Sequence, residues 1–280
     1  MTDKALAEQE YEIKFDAKLG TLLYQMDDSA TLEPSFPIPH DWTRYMALDP
    51  HPRVPHAFLW AAVDPWGDAY IYRELWMSKI YGKPGNVPED DYRFRIKEYI
   101  ETVQWLESAA NKDNGGKKEK IHLRVIDYAA RAFRDTTDSE DQRNLQERYE
   151  DWSRQPIYGQ PPMSYPLSFA DCIKDREAGA EVVNDWLKPR QVETSNGWKY
   201  KSKLHIFRDA CPELLLQLRT NRFGTLSPAM AEKMDPQSKA LQKRNHLTDC
   251  LKYLCMEGLR FVPPVGPPST WKPITKGVAY

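Results

Sequence analysis

The sequence predicts an α/β domain in which a mixed β-sheet is flanked by helices, and three observations carry that reading. Residues 45–76 hold a short apolar run, then two runs rich in Phe, Trp, Tyr, Ile and Val on either side of Asp64-Pro65-Trp66-Gly67-Asp68, the pattern of an antiparallel meander. Residues 89–110 place Tyr92, Ile96, Tyr99, Ile100, Val103 and Leu106 three and four apart, the period of an amphipathic helix. Ile121-His122-Leu123-Arg124-Val125-Ile126-Asp127 then returns to a short β run, so strands and helices alternate along the chain.

Element by element, residues 1–40 read as an N-terminal connector: 5–11 can start a helix, but 31–40 hold three prolines and no period. The folded domain is expected over 41–262. Its first strand runs into Asp49, and the hairpin pair 57–63 and 69–76 follows directly. After the helix at 89–110, a loop at 111–120 with two glycines and four lysines delivers the second strand-then-Asp unit at Asp127. Residues 140–152 predict a helix and 156–166 a Pro-rich stretch. Residues 168–187 are helical by period, with Ile173, Val182, Val183 and Leu187 facing inward and Pro189 as a stop. Asn196-Gly197 signals a hairpin within 191–203, 204–207 a strand, and 211–222 a helix whose Pro212 suits the first turn. Asn245 can cap a last helix reaching about residue 258, with Leu247, Leu251, Leu254 and Gly258 on one face and Asp249 well away from it. Residues 263–280 form a Pro-rich tail.

Bulk properties narrow the function classes. With 39 Lys and Arg against 41 Asp and Glu, the formal charge of −2 gives no bulk attraction for nucleic acid, so any such face must be a local patch. Cys172, Cys211, Cys250 and Cys255 form no C-x-x-C pair and have no His at zinc spacing, which reads as reduced thiols and suits a cytosol. The longest apolar run, 57–63, is far short of the ~20 residues that span a bilayer, and the first twenty residues mix charges of both signs, unlike an export signal.

Asp49, Asp127 and Asp249 come from two strand ends and one helix start. Hard cations such as Mg²⁺ and Mn²⁺ prefer oxygen ligands and keep several waters, so aspartates on rigid elements suit them. Two such ions ~4 Å apart activate a water and stabilise the leaving oxygen of an in-line attack at phosphorus. Singly, an Asp before Pro is a turn former and an Asp in a first helical turn serves the macrodipole; the shared context is what unites them. Asp64 and Asp68 read as shaping the hairpin turn. Glu74 reads as a surface charge, with a peripheral ligand as the other option. His246 is placed to orient a water or phosphate, and His51 and His56 to neighbour the first acid. Lys199, Lys201 and Lys203 alternate with Trp198 and Tyr200, so on a strand they share a face, suited either to phosphates or to protecting a solvated edge. Lys117, Lys118 and Lys120 read as a solvated loop.

Trp42 to Trp76, Leu123 to Asp127, Ser168 to Pro189, Leu204 to Gly224 and Asn245-His246-Leu247-Thr248-Asp249-Cys250-Leu251-Lys252-Tyr253 together resemble the nuclease domain of the viral terminase large subunit, the DNA-packaging motor of tailed phages. The resemblance implies an RNase H-like fold with Asp49, Asp127 and Asp249 as metal ligands and catalytic residues, and Mg²⁺ or Mn²⁺, two ions per site, as cofactor. It implies an endonuclease that cuts concatemeric viral double-stranded DNA during genome packaging in the host cell cytoplasm. The terminase ATPase domain, the small terminase subunit and the portal are its implied partners. Asn245 stands where the family often carries an Asp, and could still bind through its carbonyl. Pro50-His51-Pro52 stands where the family tends to have Gly or a small residue. No G-x-x-x-x-G-K-S/T motif occurs, so ATP hydrolysis is not expected of this chain, which reads as an excised domain or a split-gene product. Two rival readings are a non-catalytic docking module of a packaging motor and another RNase H-like nuclease of resolvase or transposase type.

Overall fold

Residues 22–50, 55–76, 96–132, 143–172, 176–194, 197–222 and 245–264 are described by the computed structural model. In chain order they form α1 (Asp28–Thr31), β1 (Leu32–Glu33), β2 (Thr43–Asp49), β3 (Ala57–Val63), β4 (Ala69–Leu75), α2 (Ile96–Leu106), β5 (Ile121–Ile126), α3 (Leu145–Ser153) and β6 (Ala170–Asp171). Then follow α4 (Arg176–Leu187), β7 (Arg190–Thr194), β8 (Gly197–Lys201), β9 (Leu204–Phe207), α5 (Pro212–Thr220) and α6 (His246–Met256). Seven strands make one sheet in the order β1-β9-β4-β3-β2-β5-β6, and β7-β8 is a separate ribbon. The meander β2-β3-β4 is antiparallel, while β5, β6, β9 and β1 extend it with parallel pairs, so the sheet is mixed as expected.

Every residue of β2 and β3 is buried, because helices cover both faces of the sheet. Tyr45 and Ala47 of β2 pack with Leu59, Ala61, Val125 and the apolar sides of α4, α5 and α6. Met46 and Leu48 pack with Phe58, Trp60, Ile126 and the apolar sides of α2 and α3. The strict alternation of β2 between these two cores is what decides the direction of the residue at its end.

β4 breaks that alternation. Its pairing with β3 runs Ala61↔Ile71 and then Trp60↔Arg73, so Tyr72 is an extra residue. Tyr72 and Arg73 therefore both face the α2–α3 side, and Glu74 and Trp76 are turned to the α4–α6 side. There Glu74 accepts the Glu213 and Leu214 backbone N–H groups at 3.0 and 2.8 Å, capping α5, whose own N-cap residue Cys211 makes no side-chain capping bond.

On the α2–α3 side the sheet buries a closed network of charge. Arg73 donates to Glu119 at 2.7 Å and to Asn114 at 2.8 Å, Arg44 lies 3.6 Å from Glu119, and Tyr72 OH donates to Glu119 at 3.2 Å. Beside them Arg124 and the Trp60 indole donate to Glu107 at 2.6 and 3.0 Å. These bonds tie β2, β4 and β5 to the residues after α2.

Several elements differ from the sequence expectation. The segment read as a connector supplies α1 and the edge strand β1, and Phe36 packs edge-on to Trp42 and Tyr70. The helix expected from residue 168 is described from Arg176, and 170–171 pair with β5 as a strand instead; Ile173 lies outside the described residues. The helix expected from 140 begins at Leu145, where Asn144 and Glu147 form a reciprocal capping box. α2 is described from Ile96, and Tyr92, His51 and Asn196 lie outside the described residues. All four cysteines are buried thiols in no disulfide. Among the described residues no helix is long and apolar enough to cross a membrane.

Removing Glu119 leaves two buried guanidinium groups without their carboxylate. Glu119→Gln is expected to lower unfolding stability by about 3–5 kcal/mol in urea titrations.

Candidate active site

Since Tyr45 and Ala47 face the α4–α6 side, the strand period turns Asp49 to that side as well. The same holds in β5, where Leu123 and Val125 precede Asp127 on that face. β2 and β5 are parallel, so both acids emerge at the same edge of the sheet, and the Asp127 N–H donates to the Leu48 carbonyl at 3.2 Å. Across this edge lies α6, anchored by Leu247, Leu251 and Leu254 in the core.

α6 supplies a partner to each carboxylate. His246 Nδ1 and Asp49 Oδ2 share a 2.6 Å hydrogen bond. Tyr253 OH donates to Asp127 Oδ2 at 3.1 Å, and Asp127 Oδ1 accepts the Ala129 N–H at 2.8 Å. Lys252 forms an ion pair with Asp249. His246, Asp249, Lys252 and Tyr253 are three, three and one residues apart, which places them along one side of the helix. The His246 ring stacks on Trp76, with centroids 5.3 Å apart and planes at 24°.

The electrostatics are those of an acid-rich cluster. Burial pushes the Asp49 carboxyl up to about 6, the charges of Asp249 and Asp127 push the same way, and the His246 hydrogen bond opposes them. For His246 burial favours the neutral ring, but the Asp49 hydrogen bond and the Asp49 and Asp249 charges outweigh it and raise its pKa. The Tyr253 phenol is held up by burial and then by Asp49, Asp249 and Asp127. The three acids thus share one field. Among the described residues, no three His, Cys, Asp or Glu side chains are already gathered as a ligand set for one metal ion.

Other expected residues fall into different roles. Glu74 is buried and caps α5, which corrects its reading as a surface charge. Asn245 occupies the N-cap position of α6 without a side-chain capping bond; its carbonyl accepts the Asp249 N–H at 2.8 Å. Asp64 accepts the Trp66 and Asp68 N–H groups, both at 2.9 Å, and shapes the hairpin turn as expected. His56 lies on the opposite side from Asp49, stacked on Tyr99 and hydrogen-bonded to Tyr149 at 2.6 Å, so it does not neighbour the first acid. Lys252, Tyr253 and Trp76 were not singled out by sequence. The helical spacing of the first two from His246 and Asp249 was the available signal.

Of the three lysines, Lys199 and Lys201 lie on β8, opposite Val192 and Arg190, and Lys203 lies beyond the strand. Lys201 pairs with Glu33 at 3.3 Å, and Trp198 and Tyr200 are exposed. The Lys203 carbonyl accepts the N–H of Ala69, at the start of β4, whereas Trp76, just past its other end, stacks on the His246 ring that bonds Asp49. The ribbon and the carboxylates are therefore separated by the length of β4, ~20 Å.

No protein-family model matches this chain, and no curated protein matches it in sequence. Among solved structures, it is similar to the large terminase of a thermophilic bacteriophage, with a TM-score of 0.52 and 15% identity over 85% of this chain and 45% of that one. The ATP-γ-S complex of that terminase gives a TM-score of 0.54 at 15% identity over the same shares. The P22 large terminase nuclease domain aligns over 86% of this chain and 93% of its own, at 13% identity and a TM-score of 0.49. This chain spans less than half the length of the thermophilic phage's terminase. Its fold is that of part of a large terminase, a mixed sheet with flanking helices in agreement with the RNase H-like class expected from its motifs.

Because the Asp49 pKa is higher folded than unfolded, the native state holds this proton more tightly, and its stabilising contribution is lost as pH rises from about 4 to about 6. In chelator, Asp49→Asn is therefore expected to melt higher than the wild type at pH 8, by up to about 3 kcal/mol. The gain shrinks as pH falls from about 6 to about 4, as thermal melts across pH would show.

Proposed function

We propose that this chain is a metal-dependent DNA endonuclease of the terminase type. The observation that supports the reading is that Asp49 and Asp127 end neighbouring parallel strands beneath α6, which carries Asp249, and that all three acids act on the Tyr253 phenol. An all-oxygen donor set whose carboxylates outnumber its cations fits Mg²⁺ or Mn²⁺ by its chemistry. A pair of such ions, when bound, supplies water activation and charge neutralisation at the leaving oxygen.

In this reading Asp49, Asp127 and Asp249 hold the cations. His246 orients the Asp49 carboxylate and Tyr253 that of Asp127, as outer partners of ligands do. Trp76 fixes the His246 ring by stacking. The substrate is concatemeric viral double-stranded DNA in the host cytoplasm. The terminase ATPase domain, the small subunit and the portal are the partners. Lys199, Lys201 and Lys203 contact DNA away from the cut, since they lie at the other end of β4.

Incubation of plasmid DNA with the wild type in Mg²⁺ or Mn²⁺ is expected to give nicked and linear products, and chelator to stop them. Replacing Asp49, Asp127 or Asp249 with Asn should abolish cleavage with the fold intact by circular dichroism. Tyr253→Phe should slow it by about 10–100-fold. Full activity in any of the three aspartate variants would overturn the assignment.

A further inference from the structure

We infer that Lys252 is a built-in counter-cation of the acidic edge, occupying Asp249 and so setting how tightly the site takes a divalent cation. The inference rests on reading the acids as a divalent-cation site, and it concerns a residue that this reading does not use.

Lysine side chains ordinarily keep their ammonium group in water. Among the described residues Lys252 is the one buried lysine, its side chain only 8% exposed, and its ammonium group is paired with Asp249 one helical turn earlier. The route to that position is built into α4. A Cβ on Gly179 would stand 3.1 Å from Lys252 Cδ and 3.3 Å from its Cγ, so the glycine leaves the slot through which the aliphatic stem passes. The fold thus guides a long cationic side chain inward to the carboxylate cluster.

Two consequences follow from charge alone. Without metal, Lys252 offsets part of the repulsion among Asp49, Asp127 and Asp249, which stabilises the folded chain. With metal, a divalent ion at Asp249 meets a fixed positive charge already on the same carboxylate, which weakens its binding. Lys252 acts through Asp249 and is a positioning residue.

The test is Mn²⁺ binding by titration calorimetry together with melting in chelator and in saturating Mn²⁺, on the full chain. Lys252→Met keeps the stem and removes the charge. It is expected to melt lower in chelator, to bind Mn²⁺ about tenfold tighter, and to gain more from Mn²⁺ on melting than the wild type does. Lys252→Arg is expected to restore the wild-type affinity. If Lys252→Met fails to fold, Lys252→Gln, which retains a donor to Asp249, is expected to show the same tightening. Wild-type Mn²⁺ binding with unchanged or weaker binding in the uncharged variants overturns the counter-cation alone. Absence of Mn²⁺ binding in the wild type and all variants overturns it together with the divalent-site reading.

Discussion

An ionisable carboxylate is buried at the end of a strand that has no solvent on either face, and the polar architecture around it is organised by that cost. Asp49 ends β2, all seven residues of which are buried, and its carboxyl is correspondingly harder to ionise. The structure answers with a helix whose apolar residues are locked in the core and whose opposite side supplies a hydrogen bond or a cation to each acid. The other side of the sheet treats charge differently. There Glu107 and Glu119 each meet arginine, the network is closed, and its part is to join strands. At the acidic edge three carboxylates face one lysine and one histidine. The closed network is structural in character and the open one chemical, and the difference lies in the balance of charge.

Much of this was legible in the sequence because it depends on local pattern. The apolar runs flanking Asp64 to Asp68 specified the meander, and a short run ending in Asp identified both strand-borne acids. The leucine spacing of α6 set Asp249 apart from the core. What could not be read depends on long-range pairing. β6 is a two-residue strand that exists because β5 offers it an edge, and nothing in Ala170-Asp171 announces it. Glu74 became a helix cap through a residue 139 positions away. His56, close in sequence to Asp49, is carried to the opposite core by one step of the strand period.

Likeness of fold and presence of chemistry are separate matters in this chain. The fold is similar to part of a large terminase at low identity, and a similar scaffold accommodates different sites. In this molecule the acids are surrounded by the side chains of α6, with Gly179 leaving room for the Lys252 stem. The aromatic and lysine-bearing ribbon β7-β8 belongs to the other end of the sheet and is joined to it through the Arg190–Asp68 ion pair. Any long ligand touching both regions must lie along the strands.

The extra residue in β4 has a bearing on how relatives of this chain are to be matched. Residues 69–71 and 73–75 of β4 stand in opposite phase, so positions that face one core in the first half correspond to positions that face the other core in the second. An alignment carried through β4 without a gap to a relative lacking the bulge would equate Glu74 and Trp76 with residues of the wrong face. The helix cap and the histidine stack would then vanish from the comparison although nothing in either protein had changed. At low identity, a register error of one residue in this strand is enough to conceal the aromatic support of His246.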